Sequence, residues 1–425
     1  MKATAQHAIS TKILLPRLLW WLCVGGALLT AMPSRALNAS HYASRSQLAD
    51  GLWVKIAVYQ SGIHQITYRE LSRWGFSNPD AVTIFGYGGA MLPETFSEED
   101  TDDLAQIPIL HTRSKILFYA QGPITWSYNE KTQEYDHEQN TYSTAGYYFI
   151  TDSKSATAAL TDRNGGATTG MTDITSFDEH AVYEQELYSP GATGRTFLGE
   201  DFRYTSSRNF TFEMPGVDNT APVKLRTSFG AKVVGGSSYL VFTYQGKTLP
   251  ESTSDRVPSS SESTYDFFET TSTLKEIYLD SEELTFSLLF RQSGGSLSLA
   301  RLNYFRFNYK RKLQLYNGSI QFRLKEVPQN SCYKLPGYTS TTRIWDISDP
   351  QNPVNIVPTV ENGNARFVPT RDNEEYVAFD TEATQTSVHR HQLHLPGPPG
   401  SLAGGGAGKA LPVPLALRGE YLPHR

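Results

Sequence analysis

A cysteine beside an imidazole would make a thiol nucleophile, and three close imidazoles would make a metal site. The 425-residue chain holds residues for either chemistry. Cys332 lies in "QNSCYKLPGY", between a hairpin strand and a Pro-Gly turn. A thiol peptidase needs a thiolate and an imidazole held together in space. No glycines flank Cys332 to shape an oxyanion hole and the upstream histidines are isolated, so it reads as a buried or incidental cysteine. His389, His391 and His394 in "HRHQLH" have alternate or helix-like spacing that could converge on a metal. They lack supporting carboxylates and sit among Gly and Pro, and so read as an accident of composition. The acidic run "SEEDTDD", Ser97 to Asp103, lacks the glycine and terminal glutamate of a calcium loop and reads as a solvated loop. In "FGYGGA" a phosphate cradle would require a lysine and a hydroxyl residue entering a helix. Ala90-Met91-Leu92-Pro93 follows instead, so the glycines are turn and close-packing positions. Asn209 and Asn317 fit the Asn-x-Ser/Thr pattern, which matters only in a glycosylating host. No catalytic, cofactor-binding or metal-ligating residue is assigned, and no cofactor is expected.

The composition, 19% charged and 39% hydrophobic, supports two or more globular modules with their own cores. Net charge is −5 and the basic residues are scattered, which excludes the positive stripe that phosphate-backbone binding demands. At the start, Lys2, Lys12 and Arg17 precede an apolar run from Leu18 to Met32, and Ser34-Arg35-Ala36 follows as a small-x-small cleavage pattern. Residues 1–36 therefore read as a secretory signal peptide. The alternative, a membrane anchor, is opposed by a run shorter than the ~20 apolar residues needed to span a bilayer. Cleavage after Ala36 would remove Cys23, leaving Cys332 without an intramolecular disulfide partner. No second spanning run exists, so the mature chain is expected to be exported, soluble or peripherally attached, between the periplasm and the outer-membrane surface.

The elements are those of a mainly β protein. "WVKIAV", the turn "QSG" and "IHQIT" read as a hairpin, and Thr67 with Glu70 in "TYREL" forms a capping box opening a short helix over about Tyr68 to Trp74. Strands follow in "AVTIFGYGGAMLPE", "SKILFYAQGPITWSY" and "GYYFIT". Between Thr151 and Thr175 the sequence turns small and polar without periodicity, which reads as a long exposed loop. Strands resume with "NFTFEM", "VKLRTSF", "SYLVFTYQGKTL", "LTFSLLF" and "SLSLARLNYFRFNYKRKL". In the last, Phe305, Phe307 and Tyr309 share one face and Arg306, Asn308 and Lys310 the other. Asn317-Gly318 is the preferred chemistry for a type I′ hairpin turn. Short strands at this spacing argue for antiparallel β-sandwich or jelly-roll modules.

Taken in order, "GLWVKIAVYQSGIHQITYREL", "IFGYGGAMLPE", "KILFYAQGPITWSY", "HEQNTYSTAGYYFIT", "NYFRFNYKRKLQLYNG" and "RIWDISDP…YVAFD" resemble the amino-terminal, non-catalytic region of the PorU family of type IX secretion system sortases. The resemblance covers about Gly51 to Asp380. It implies a β-rich region ahead of a gingipain-like cysteine peptidase domain, which cleaves carboxy-terminal sorting domains from secreted cargo and attaches the cargo to surface lipopolysaccharide. It also implies work beside an outer-membrane β-barrel partner, PorV. The family's His–Cys dyad places its histidine in a His-Gly dipeptide, which this sequence lacks, and Cys332 precedes the expected start of the peptidase domain, so no catalytic residue carries over.

After Glu382 the composition becomes rich in Gly, Ala, Pro, Leu, Arg and His, as in a GC-rich coding sequence read in a shifted frame. A break in the gene near Glu382 is the expectation. The expected division is residues 1–36 signal peptide, 37–195 β-rich domain, 196–345 β-sandwich, 346–380 short strands leading toward the absent peptidase domain, and 381–425 an aberrant, disordered tail. Three functions compete: a truncated, inactive sortase; a secreted adhesin or carbohydrate binder in which Trp126 and Tyr128 stack on sugar; and an enzyme using Cys332 with a distant histidine.

Overall fold

The computed structural model describes residues 42–93, 102–154, 158–192, 194, 196–233, 238–248, 254–257, 268–292 and 298–391. The expected signal peptide, Cys23, residues 97–101 of the acidic run, His394 and the tail from 392 lie outside these. Among the described residues no helix is long and apolar enough to cross a membrane. Of the described residues, 42–46, 93 and 102–103 belong to a separate compact unit, in which the carboxylate of Asp102 accepts the Ala43 N–H at 2.6 Å.

The architecture is mainly β, built from sheets packed in pairs. The first pair sets β1 (Val54–Val58), β3 (Thr83–Gly88), β4 (Gln106–Ile107), β9 (Gly146–Thr151) and β29 (His389–His391) against β2 (Gly62–Thr67), β5 (Leu110–His111), β6 (Lys115–Ala120) and β28 (Thr386–Ser387). Ile56, Ile66, Ile84, Ile116 and Phe118 fill the core between them. The hairpin expected from "WVKIAVYQSGIHQIT" does not form. β1 pairs with β9 and β29, whereas β2 crosses to the facing sheet and pairs with β6 and β28. Alternation marked both strands correctly, but it carries no information about which edge each strand meets.

The capping box holds. Thr67 Oγ1 accepts the Glu70 N–H at 3.1 Å, and Glu70 Oε2 accepts the Thr67 N–H at 2.9 Å, opening helix α1 (Tyr68–Arg73). The glycines of "FGYGGA" serve turns and close packing. Gly88 has φ 86°, and a Cβ on Gly89 would stand 2.4 Å from the Gly122 carbonyl carbon.

A second pair sets β10 (Thr161–Asn164), β21 (Ser319–Phe322), β23 (Thr342–Asp346), β24 (Val354–Val357) and β27 (Tyr376–Asp380) against β11 (Thr172–Ile174), β22 (Ser331–Pro336), β25 (Thr359–Glu361) and β26 (Asn364–Phe367). Phe322, Tyr333, Phe367 and Tyr376 pack edge-on and stacked at its centre. Here the expected loop between Thr151 and Thr175 is corrected: β10 and β11 lie parallel to β24 and β22 at the sheet edges. An edge strand is held by backbone pairing on one side, so polar residues such as Asp162 and Arg163 suffice and no apolar periodicity is required. A further cluster, Ile63, Leu117 and Tyr119 with Trp345, Val377 and Phe379, joins the outer faces of the β2 and β27 sheets.

The third pair sets β12 (Ser176–Glu184), β14 (Val223–Lys232), β18 (Glu269–Ile277) and β20 (Leu299–Lys312) against β13 (Ser207–Glu213), β15 (Ser238–Tyr244), β16 (Lys247–Thr248), β17 (Ser254–Val257) and β19 (Glu283–Gln292). Phe305 and Phe307 are fully buried there among Phe210, Phe212 and Phe286, and Tyr309 is buried with them. The opposite face of β20 is not solvated as a half-buried strand would be, because the hairpin of β7 (Ile124–Asn129) and β8 (Glu134–Gln139) lies across it. Glu134, 1% exposed, accepts from Arg226 Nε at 2.8 Å and faces Arg306 at 3.5 Å, while Asn308 Oδ1 accepts the Tyr135 N–H at 2.7 Å.

Asn317 and Gly318 have φ 52° and 86°, and Tyr316 and Ser319 exchange backbone bonds at 3.2 Å, so the tight turn forms as its sequence dictates. Its arms separate at once, β20 pairing with β12 and β14 and β21 with β27. Sheet membership therefore crosses the linear divisions at 195 and 345: β12 joins the third pair, and β27 shares a sheet with β21. The ordered fold also continues past Glu382, through β28 and β29, with Val388 packed on the first core.

Two outcomes follow from the cores. Phe307→Ala should lower the unfolding free energy by about 3–5 kcal/mol in urea denaturation, while Tyr204→Ala, at an 85% exposed position, should change it by less than about 0.5 kcal/mol. His64 is 1% exposed and burial lowers its pKa to about 4. The unfolded chain binds that proton near pH 6.5 and the folded chain only near 4, so acid favours unfolding between these values. Stability should fall by about 3 kcal/mol from pH 6.5 to 4, and His64→Gln should flatten that slope in pH-dependent denaturation.

Candidate functional site

The three sheet pairs and the β7–β8 hairpin meet around a cleft of about 1740 Å³. Its walls come from β7, β12, the chain around β21 and the segments before β2 and β27, regions far apart in sequence. The floor is an ion network. Arg323, 2% exposed, forms a bidentate pair with Glu375, donates from Nη1 to the Asp178 carbonyl at 2.9 Å and reaches Glu179 at 3.4 Å. Arg311 joins Glu179 at 2.8 Å and lies 3.9 Å from the centre of the Tyr316 ring. Burial alone would lower the pKa of the Arg323 guanidinium, but the charges of Glu375 and Glu179 outweigh it and the group stays ionised. The charges of the floor are thus paired with one another.

On the β7 side, Trp126 stacks on His180 with centroids 4.0 Å apart, and Tyr135 donates to Asn373 Oδ1 at 2.7 Å. Burial drives the His180 pKa well below its ordinary value, so its ring is neutral. At the far rim stand Glu184, bonded to His137 at 3.1 Å, and Glu186, whose pKa is raised by burial and by the Glu184 charge. The aromatic residues offered for sugar stacking are already engaged. His180 covers one face of Trp126, and Tyr128 meets Tyr135 edge-on with the Lys325 ammonium 4.6 Å from its ring.

Cys332 is absent from the cleft. It is fully buried on β22, and burial raises the pKa of its thiol. Of the three serines lining the cleft, Ser61 accepts the Gly122 N–H and Ser348 the Glu375 N–H. His389 and His391 lie on β29, and no cluster of His, Cys, Asp and Glu able to hold a metal occurs among the described residues. The arrangement offers binding chemistry, with charges and aromatic rings around an open volume. The sequence pattern passes over β12: Phe177 and Tyr183 are buried on one face, but Glu179 falls on that face and Val182 on the other, which breaks the alternation that marks a strand.

Among solved structures, the chain is similar to the dimeric latent PorU from Porphyromonas gingivalis, with a TM-score of 0.71 and 26% identity over 82% of this chain and 33% of that one. The chain thus spans about a third of the PorU length and shares its fold there. The insecticidal delta-endotoxin Cry8Ea1 from Bacillus thuringiensis has a TM-score of 0.21 at 11% identity, over 63% of this chain and 54% of that one, which carries no argument. No family model and no curated protein matches the chain.

The burial of Cys332 sets an expected outcome. Iodoacetamide should label it in denaturant and leave it unmodified in the native chain at pH 7.5, as read by intact mass.

Proposed function

We propose that this chain is the β-rich, non-peptidase portion of a type IX secretion system sortase, acting at the cell envelope without cleaving sorting domains itself. The observation that carries the reading is the PorU fold shared over 82% of the chain, in the order of motifs that the sequence displays. Supporting it, the cleft presents no thiol–imidazole pair and Cys332 is buried in a different core. In this reading the sheet stack serves as a scaffold beside an outer-membrane β-barrel partner, PorV, and meets secreted cargo there. Cleavage of sorting domains and attachment of cargo to lipopolysaccharide belong to the peptidase domain of such sortases.

The test is expression of the tagged chain in a bacterium that uses type IX secretion. The chain should fractionate with the envelope and co-purify with the barrel partner, and the purified protein should leave a client's sorting domain uncut. Cytosolic recovery with no barrel bound would overturn the reading. Client cleavage abolished by Cys332→Ala would replace it with an enzymatic one.

A further inference from the structure

We propose that the cleft binds an extended basic protein segment, which adds as a strand to the free edge of β12. This goes beyond the sortase assignment and does not depend on it. β12 is the terminal strand of its sheet, paired with β20 alone. The Asp178 N–H donates to the Arg323 carbonyl at 2.9 Å and the His180 N–H to the Glu179 carboxylate at 3.0 Å, both away from β20. Backbone direction alternates along a strand, so Val182 and Glu184 also aim their N–H and C=O groups outward.

The chain at Arg323 covers the edge as far as Asp178, through its carbonyl and through its guanidinium. Beyond that point Val182 and Glu184 line the cleft, and no hydrogen bond described for them uses their outward backbone groups. An open edge inside a cavity is a template for strand addition.

Charge selects the occupant. On the floor, Arg311 and Arg323 neutralise Glu179 and Glu375. At the open end of β12, Glu186 and Glu184, the latter bonded to His137, stand together beside Leu187, which is 65% exposed, while Arg371 on the cleft wall pairs with Glu374. A segment that alternates lysine or arginine with apolar residues meets both features, and an acidic segment is repelled.

The test uses the full chain and a fluorescein-labelled seven-residue peptide of alternating valine and lysine, read by fluorescence anisotropy. It should bind saturably, at least about tenfold more tightly than its valine–glutamate counterpart. N-methylation of alternate amides should weaken it by about tenfold or more. Val182→Pro removes one outward N–H at an edge position that tolerates proline and should weaken binding about fivefold, and Glu186→Gln about twofold. Equal binding of the two peptides, indifference to N-methylation, unchanged affinity in a folded Val182→Pro variant, or no binding would each overturn the proposal. If Val182→Pro does not fold by circular dichroism, the N-methylated peptide on the unaltered chain decides.

Discussion

A single buried carboxylate fixes the geometry of the cleft. Glu134, on β8, is held by Arg226 from β14 and faces Arg306 from β20, and Arg306 also reaches Asp136 at 2.5 Å. Placing these charges out of water costs several kcal/mol per ion, which only near-complete pairing offsets. Removing one partner would strand the others, at a cost of about 3–5 kcal/mol. The hairpin therefore sits in one place on the third sheet pair, and with it Trp126 and Tyr135 on the cleft wall.

The floor repeats the same logic with other residues. Arg323 follows β21 and Glu375 precedes β27, so their pairing ties neighbouring strands of the second pair, while Glu179 and Asp178 bring in β12 from the third. Apolar burial builds each sheet pair separately, and the ion networks decide how the pairs face one another. The cleft is the space those networks leave open.

Local chemistry was legible in the sequence. Thr67 and Glu70, Asn317 and Gly318, and the alternation of Phe305, Phe307 and Tyr309 all formed what they dictate, because each depends on neighbours a few residues away. Pairing was not legible. β1 and β2 looked like a hairpin yet joined facing sheets, and β10 and β11 looked like loop because their partners stand far along the chain, Val354 opposite Thr161 and Ser331 opposite Thr172. The cleft escaped for the same reason, since Glu179, His180, Arg323 and Glu375 become neighbours only through tertiary structure. Nothing local to the polar face of β20 announces the hairpin that covers it.

The closing strands impose an order on assembly. β1 acquires its second neighbour from His389–His391, and a hydrogen bond from Gln60 to Thr386 spans 326 residues of chain. Contacts of such high separation must await loop closure and form slowly. A ribosome would thus release the β1 segment long before its β29 neighbour existed, leaving one edge of β1 bare in the meantime.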